Sequence, residues 1–325
     1  MDTICNVTVY AAGDGTSAET ALTAAFDRLK EIEAAADVNN PESELSLVNS
    51  AALNSEPRVS EDLFAMIDAA DFYAGRTDDA LDITIGGAIN LWGIGTDHAR
   101  VPSPNELRPF VRTGKYSNLI LYYDKKAVSL LSPNAVLNLG AVAKGYACDE
   151  AAEVLEESGV TSAVIDLGGC IRTVGYKPDS NNELNSDWKI AVNHPRLSGA
   201  DSGTTGQAAE YAAFLSVGES VAVSTSGDYE RYFIEDGVRY CHILEPETGE
   251  SVHGDVISVT VISGKGLEAD ALSTAFFVLA NRDGIASAME RGNTYFRDCS
   301  FIFIDKELGV HTSDNLDSGK AEFLL

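Results

Sequence analysis

The sequence predicts an α+β fold, a single compact domain in which mixed and antiparallel sheets are flanked by helices. Strand-like and helix-like segments are mixed along the 325 residues without a regular β–α–β alternation, which argues against a doubly wound parallel sheet. An Asp-Gly pair at 236–237 lies between two alternating runs and indicates an antiparallel hairpin. No linker of distinct composition divides residues 1–325, and this predicts one domain.

The elements of the first half follow from periodicity and turn signals. Residues 3–10 alternate like a strand, and residues 18–36 carry apolar side chains at helical spacing. Ser60 opens a helix that reaches about residue 74. We expect a strand that runs into glycine-rich turns at 81–95, a short helix at 104–113, a hairpin at 118–131, and a segment at 137–149 leading into a helix that ends at Gly159.

The second half is richer in strands. Residues 162–167 form a short apolar run that stops at Gly168 and Gly169, which predicts a buried strand. A helix is expected at 266–280, and its part 271–280 is apolar all round. Around it we expect loops at 177–187 and 196–209, a strand at 188–193, a hydroxyl-rich loop at 224–229, a hairpin at 231–244, and strands at 256–262, 300–305 and 308–312.

Charge and composition exclude several classes of partner. The net charge of −27 repels nucleic acid and anionic lipid headgroups. A phosphate-bearing ligand would need a local metal, a lysine or the N–H groups of a helix start. The five cysteines are scattered without a Cys-x-x-Cys pair, which argues against zinc or a disulfide framework. No apolar stretch is long enough to span a bilayer, and no signal peptide is visible after Met1.

One carboxylate in the apolar helix suggests a metal site. Asp270 directly precedes the apolar run, and Thr274 lies four residues after Asp270. Side chains at this spacing share a helix face, so the oxygens of the two residues lie on the same side. A buried ionised carboxylate needs a partner, and hard oxygen ligands suit Mg²⁺. Alternatively, Asp270 caps the helix start and Thr274 bonds back to the preceding turn.

Lys144 and Asp82 are further candidates for contact with a ligand. Lys144 stands at a helix start, where a cation opposes the helix dipole unless an anion lies between them. A surface lysine in the first turn is the simpler alternative. Asp82 lies between apolar residues and is either a ligand contact or a cap for the next turn.

His242 lies on a predicted hairpin strand. A lone strand histidine is more often structural than catalytic, yet its neutral form can accept a proton near pH 7. No arrangement of serine, histidine and acid can be assembled from the order of residues, so a hydrolase triad has no support.

Read together, these segments resemble the ApbE-type FAD:protein FMN transferase family. The resemblance spans nearly the whole chain, because several modest motifs occur in the family's order. They lie at 1–3, 43–49, 80–93, 140–146, 226–233, 242–244 and 268–274. It implies an ApbE-like fold and an enzyme that cleaves FAD at its pyrophosphate, transfers FMN to a threonine or serine hydroxyl of a target protein, and releases AMP.

The resemblance also implies roles for individual residues. Mg²⁺ would be held by Asp270, Thr274 and the backbone carbonyl of Ala141, and His242 would accept a proton. The FAD contacts would be Met1, Ala80, Leu81, Asp82, Asn138, Lys144 and Leu244. Asn138 stands where the family usually has aspartate, and Asn39 where many members have tyrosine, which affects FAD affinity more than the reaction.

The partners implied are FAD and an acceptor flavoprotein, with no nucleic acid. Family members often modify subunits of membrane redox pumps or extracellular flavoproteins, so we expect action at the extracytoplasmic face of a bacterial envelope if an upstream signal or anchor is missing, and in the cytoplasm otherwise. Membrane contact would come only through the acceptor or such an anchor. Two alternatives remain open: an Mg²⁺-dependent FAD pyrophosphatase that gives FMN and AMP, and a non-catalytic FAD-binding protein.

Overall fold

The computed structural model describes residues 3–111, 118–197 and 210–325, which form an α+β fold. The helices are α1 (Ala18–Ala36), α2 (Glu44–Ser50), α3 (Glu61–Ala74), α4 (Gly86–Trp92), α5 (Pro104–Leu107), α6 (Ala143–Glu157), α7 (Gly266–Asp283) and α8 (Ile285–Tyr295). The strands are β1 (Cys5–Ala12), β2 (Leu119–Tyr122), β3 (Ala127–Leu130), β4 (Val160–Leu167), β5 (Cys170–Val174), β6 (Lys177–Pro178), β7 (Leu184–Ser186), β8 (Trp188–Asn193), β9 (Tyr211–Val217), β10 (Ala222–Gly227), β11 (Tyr232–Glu235), β12 (Val238–Cys241), β13 (Val256–Ser263), β14 (Ser300–Asp305), β15 (Val310–Thr312) and β16 (Ala321–Phe323).

A seven-stranded sheet in the order β1-β4-β5-β10-β13-β14-β15 forms the centre of the fold. Each pairing in it is antiparallel. Because successive side chains of a strand point to opposite faces, Ile165 joins the core on the helical side, whereas Val164 packs towards the smaller sheet β16-β9-β8. The small sheet and the helices therefore cover opposite faces of the large one.

The main core lies between the large sheet and helices α6 and α7. The helix predicted at 266–280 is confirmed as α7, and its Phe276, Phe277 and Leu279 are buried. One cluster of buried apolar side chains extends from Ala21 on α1 to Phe303 on β14.

Two contacts between α6 and α7 set the position of the helices. The Asp149 carboxylate on α6 accepts the N–H groups of Gly266 and Leu267 at 2.7 and 3.0 Å, and so caps the start of α7. The backbones approach closely at Gly145, where an added Cβ would lie 2.2 Å from the carbonyl oxygen of Gly266. Only glycine fits at that crossing.

The structure confirms the helix start predicted at Ser60 and the hairpins predicted at 118–131 and 231–244. Local capping and turn signals specify these elements. Ser60 Oγ accepts the Leu63 N–H at 3.3 Å. The second hairpin is β11 and β12, joined at Asp236 and Gly237. No helix in the described ranges has the length and apolar character needed to cross a membrane.

Several predictions about secondary structure were wrong. Residues 81–95 contain a turn and helix α4 in place of a strand, since Gly87 lets the helix pack against Phe110, where a Cβ would meet the ring at 2.1 Å. Residues 224–229 were expected to form a loop, but most belong to the central strand β10. Its hydroxyls tolerate burial because they are paired, as Ser226 is with Ser273 at 2.9 Å.

Short elements were also missed in segments taken as loops. The segment 177–187 contains the paired strands β6 and β7. Helices α2 and α8 and strands β5, β9 and β16 had no prediction. Most of the predicted loop at 196–209 lies outside the described residues.

Candidate functional site

A cavity of about 650 Å³ lies where the start of α6, the hydroxyl-bearing side of β10, helix α4 and the base of the β11–β12 hairpin meet. It is lined by Thr3, Ile32, Glu33, Ala36, Asp37, Val38, Asn39, Ala80, Leu81, Asp82, Ile83, Ile85, Ile89, Trp92, Ile94, Asn138, Leu139, Gly140, Ala141, Ala143, Lys144, Gly168, Thr225, Ser226, Glu230, Arg231, His242, Ile243, Leu244, Pro246, Thr274 and Val278. A cavity of this size suits a cofactor-sized ligand.

One part of the cavity wall is apolar. Ile85, Trp92 and Leu244 belong to one buried cluster. The Trp92 indole N–H donates to the carbonyl oxygen of Gly249 at 2.8 Å, which satisfies its polar atom and fixes the ring. This wall offers a rigid apolar surface to an aromatic ring system.

The other part of the wall carries charge. Lys144 and Arg231 contribute two cations, and Glu230, Asp82, Asp37 and Glu33 contribute carboxylates. Burial raises the pKa of Glu230, although the charges of Lys144 and Arg231 counteract that effect. Lys144 and Arg231 are the groups of this lining that attract an anion.

His242 lies between these charged groups. Its backbone N–H donates to the carbonyl oxygen of Arg231 at 3.0 Å. This hydrogen bond holds His242 beside Arg231 at the base of the hairpin. Desolvation, followed by the positive charges of Arg231 and Lys144, lowers the pKa of His242 to about 3. The imidazole is therefore neutral at physiological pH and can accept a proton.

Asp270 is buried and paired with Lys144. The Lys144 ammonium lies 2.9 Å from Asp270 Oδ1, and the Gly145 N–H donates to Oδ2 at 3.0 Å. Desolvation lowers the pKa of Lys144, but the charge of Asp270 and its hydrogen bond outweigh this and raise the pKa above its ordinary value. Of the two alternatives for Asp270, the structure rules out capping of its own helix, because Asp149 caps α7.

Thr274 lies one turn after Asp270 and lines the cavity. Its hydroxyl lies 3.2 Å from Ser226 Oγ on β10. Ala141, just before α6, lines the cavity as well. The three oxygen donors expected for a metal thus come from the segment just before α6 and from the first half of α7. Asp270 does not itself line the cavity, but its carboxylate contacts Lys144, which does.

The chemistry of this donor set fits a small hard cation. One buried carboxylate, one hydroxyl and one carbonyl are oxygen ligands of the kind Mg²⁺ takes when substrate phosphates complete its shell. In the part of the chain that the structure describes, no cluster of three or more His, Cys, Asp or Glu side chains could hold a metal ion. A dedicated all-protein site for a softer metal is therefore not formed by these residues.

The residues expected to contact FAD are brought together, with one exception. Ala80, Leu81, Asp82, Asn138, Lys144 and Leu244 all line the cavity. Asp82 also caps the next turn, since its Oδ1 accepts the Thr84 N–H at 2.7 Å, so both alternatives for Asp82 are compatible with its position. Asn138 Oδ1 accepts the Gly140 N–H at 2.9 Å. Met1 lies outside the described residues.

Sequence reasoning assigned no role to some lining residues. Glu230 and Arg231 lie just before β11. Glu230 and Arg231 are two charged residues directly before a hairpin that the sequence predicts, and this position could have marked them as candidates. Asp37 and Glu33 also line the cavity. They belong to a polar segment and to a helix in which no sequence feature marks them as site residues.

Comparison with known proteins gives one consistent family. Residues 1–296 match the ApbE family. The chain is 33% identical over 319 residues to the FAD:protein FMN transferase of Treponema pallidum, covering 95% of this chain and 84% of the relative. It is 32% identical over 286 residues to that of Klebsiella pneumoniae, covering 88% and 82%.

Solved structures agree with the sequence relatives. The ApbE protein of Thermotoga maritima has a TM-score of 0.80 at 30% identity, covering 95% of this chain and 93% of that one. The flavin transferase ApbE of Vibrio cholerae has a TM-score of 0.78 at 26% identity, covering 97% and 94%. The antiparallel sheets and flanking helices predicted from the sequence are thus confirmed as an architecture shared with these proteins.

Proposed function

The chain belongs to the ApbE family, and from that premise we propose that it transfers FMN from FAD to a threonine or serine hydroxyl of a target protein, in an Mg²⁺-dependent reaction that releases AMP. The observation that carries the proposal is the cavity itself. It gathers an apolar wall at Trp92, two cations at Lys144 and Arg231, and the neutral base His242. The apolar wall suits the flavin ring system, the cations suit the diphosphate, and the base serves the acceptor hydroxyl.

The proposed reaction is a phosphoryl-type transfer. The acceptor hydroxyl oxygen forms a bond to the phosphorus of the FMN half, and the bond from that phosphorus to the bridging oxygen breaks. AMP leaves with the bridging oxygen, and the hydroxyl proton passes to Nε2 of His242, because Nδ1 lies 3.3 Å from the Arg231 carbonyl oxygen and carries its own proton there. Such transfers depend mainly on positioning and charge neutralisation. Bound Mg²⁺, held by Asp270, Thr274 and the Ala141 carbonyl, would neutralise charge on the diphosphate and the leaving AMP.

The chain's own cations support both binding and proton transfer. Lys144 and Arg231 attract a diphosphate that the net charge of −27 would otherwise repel. The same two charges depress the pKa of His242. A bound diphosphate counteracts their effect, so the pKa of His242 rises when substrate is present. The base would therefore be strongest in the complex in which it is used.

The place of action is proposed from family resemblance alone. We infer that the protein modifies an acceptor flavoprotein at the extracytoplasmic face of the bacterial envelope.

The test is a transfer assay with product analysis. The protein is incubated with FAD, Mg²⁺ and a flavin-free domain of a threonine-flavinylated protein, and the domain is weighed by mass spectrometry while nucleotides are separated by chromatography. We expect the domain to gain one FMN and AMP to appear in equal amount, with neither product when EDTA removes Mg²⁺. Release of FMN and AMP with an unmodified domain would assign the chain as a pyrophosphatase. Bound but intact FAD would make it a binding protein.

A further inference from the structure

We propose that the outer edge and outer face of the β11–β12 hairpin dock an extended segment of the acceptor protein and lead its hydroxyl to His242. This inference rests on the proposed function, because it names the surface that the protein acceptor uses. The hairpin connects directly to the cavity. Arg231 immediately precedes β11, His242 immediately follows β12, and both line the cavity. The base of the hairpin therefore lies beside the proposed proton acceptor.

The inner face of the hairpin is already occupied. Phe233 and Tyr240 stack on each other with ring centroids 5.3 Å apart, and Tyr240 packs against Trp92 at 5.4 Å. Because Trp92 is itself buried and hydrogen-bonded to Gly249, these contacts fix the hairpin relative to the cavity. Because the hairpin is already fixed, little conformational entropy of the hairpin is lost when a partner binds to it.

The outer face is exposed near the turn, where apolar side chains lie beside one arginine. Ile234 is 61% exposed and Tyr232 is 38% exposed. Side chains two residues apart on a strand share a face, and the Arg239 guanidinium lies over the Tyr232 ring at 3.9 Å. Aromatic and arginine side chains of this kind are enriched where proteins bind proteins.

The backbone of β11 offers hydrogen bonds on the same side. The two-residue turn makes Glu235 and Val238 a hydrogen-bonded pair. Arg231 and His242 form a second such pair at the hairpin base, since the His242 N–H donates to the Arg231 carbonyl oxygen. Tyr232 and Ile234 lie between these positions along β11, so their N–H and C=O groups point away from β12. Within the described ranges, β11 pairs only with β12.

The opposite edge of the hairpin is less available. Ser251 Oγ donates to the carbonyl oxygen of Cys241 at 2.9 Å, and the Val252 N–H donates to Ile243 at 2.9 Å. An incoming strand therefore finds free hydrogen-bonding groups along β11 and not at this end of β12. Addition of an extended segment to an exposed edge is a common mode of peptide recognition, and here it would run towards Arg231 and the cavity.

Two substitutions separate the apolar face from the backbone edge. Ile234→Asp removes an exposed apolar side chain and adds a charge. Ile234→Pro removes the outward N–H but keeps the bonds between β11 and β12, since proline is tolerated where a strand N–H faces solvent. The matched control is Ile120→Asp, because Ile120 is 40% exposed on another two-stranded hairpin and does not line the cavity.

The first readout is FMN transfer to a flavin-free domain of a threonine-flavinylated protein at saturating FAD. We expect Ile234→Asp and Ile234→Pro to raise the KM for the domain by about tenfold or more. Their FAD affinity, measured by flavin fluorescence, should match that of the wild type, and Ile120→Asp should behave as the wild type in both assays. Wild-type KM values in both Ile234 variants would overturn the proposal.

The second readout does not need the reaction. The same domain with its target threonine replaced by valine is added, and amide hydrogen exchange is followed. We expect slower exchange at Tyr232 and Ile234. Slowed exchange without any FMN transfer by the wild type would keep the docking surface and reject the proposed function. Transfer without slowed exchange would reject the docking surface alone. A wild-type dimer that Ile234→Asp converts to a monomer would assign the surface to a second copy of the chain and reject it as an acceptor site.

Discussion

Lys144 on α6 and Asp270 on α7 form an ion pair of 2.9 Å that joins the two helices at the cavity wall. The Asp270 side chain is 2% exposed, whereas that of Lys144 is 26% exposed. Removal of one partner of a buried pair leaves the other charge uncompensated. Loss of either partner alone would therefore destabilise the helix crossing as well as disturb the proposed chemistry.

Substitution of Asp270 by alanine should remove Mg²⁺-dependent transfer while the fold is kept. Because Lys144 loses its counter-ion, we also expect the free energy of unfolding to fall by about 2–4 kcal/mol. Urea denaturation and the transfer assay measure the two effects. As a control, Asp27→Ala removes an exposed pair with Lys30 and should change stability by less than about 1 kcal/mol. If Asp270→Ala keeps its response to Mg²⁺, the metal assignment is wrong.

Substitution of His242 by alanine should slow transfer about 10²- to 10⁴-fold, since the acceptor hydroxyl loses its proton acceptor. FAD affinity should change much less, because the apolar wall and the cations remain. The turnover number at saturating acceptor and a fluorescence titration with FAD separate these effects. His98 is an exposed histidine that does not line the cavity, and His98→Ala should transfer at the wild-type rate. Equal loss in the two variants would contradict the assignment of His242.

The pKa of His242 should be readable by NMR as a value far below that of an ordinary histidine. Desolvation and the charges of Arg231 and Lys144 lower this pKa to about 3. The variant Arg231→Met removes one of these charges and should raise the pKa of His242, as should addition of inorganic diphosphate to the wild type. A titration of the His242 ring proton near pH 6.5 in the free protein would show that the imidazole is not held in this environment.

The same shift makes stability depend on pH. The pKa of His242 is about 3 in the folded chain and about 6.5 when unfolded, so protonation favours the unfolded state. The contribution of neutral His242 is complete above about pH 6.5 and is lost as the pH falls towards 3, by up to about 1.4 kcal/mol per pH unit. Urea denaturation from pH 7 to 4 should therefore show a steeper loss for the wild type than for His242→Gln. Parallel curves would argue against the depressed pKa.

Substitution of Gly145 by alanine should destabilise the protein although alanine favours helices. Its Cβ would meet the Gly266 carbonyl oxygen at 2.2 Å and the Asp270 Cβ at 2.7 Å, so α6 and α7 would have to separate. We expect a loss of about 1–3 kcal/mol in thermal or urea unfolding. Gly75→Ala is the control, because its nearest neighbour would lie at 3.7 Å, and it should be neutral or slightly stabilising. Equal behaviour of the two variants would refute the close crossing.

Local signals explain the parts of the fold that were predicted correctly. The serine cap at Ser60 and the Asp-Gly turn at 236–237 are specified by neighbouring residues. The strand β10 was missed because its Ser224 and Ser226 resemble loop residues. Their burial is acceptable only because partners on α7, such as Ser273, approach from a distant part of the chain. Periodicity cannot report that kind of pairing.

The sequence by itself determined the α+β class, the position of Asp270 directly before an apolar helical run, and the order of motifs that indicates the family. Each of these depends on residues close together in the chain. Only the tertiary structure decided that Lys144 neutralises Asp270, that Arg231 and Lys144 depress the pKa of His242, and that β11 keeps an exposed edge beside the cavity. Charge pairing and desolvation depend on distances across the fold, and those distances exist only once the helices have packed against the sheet.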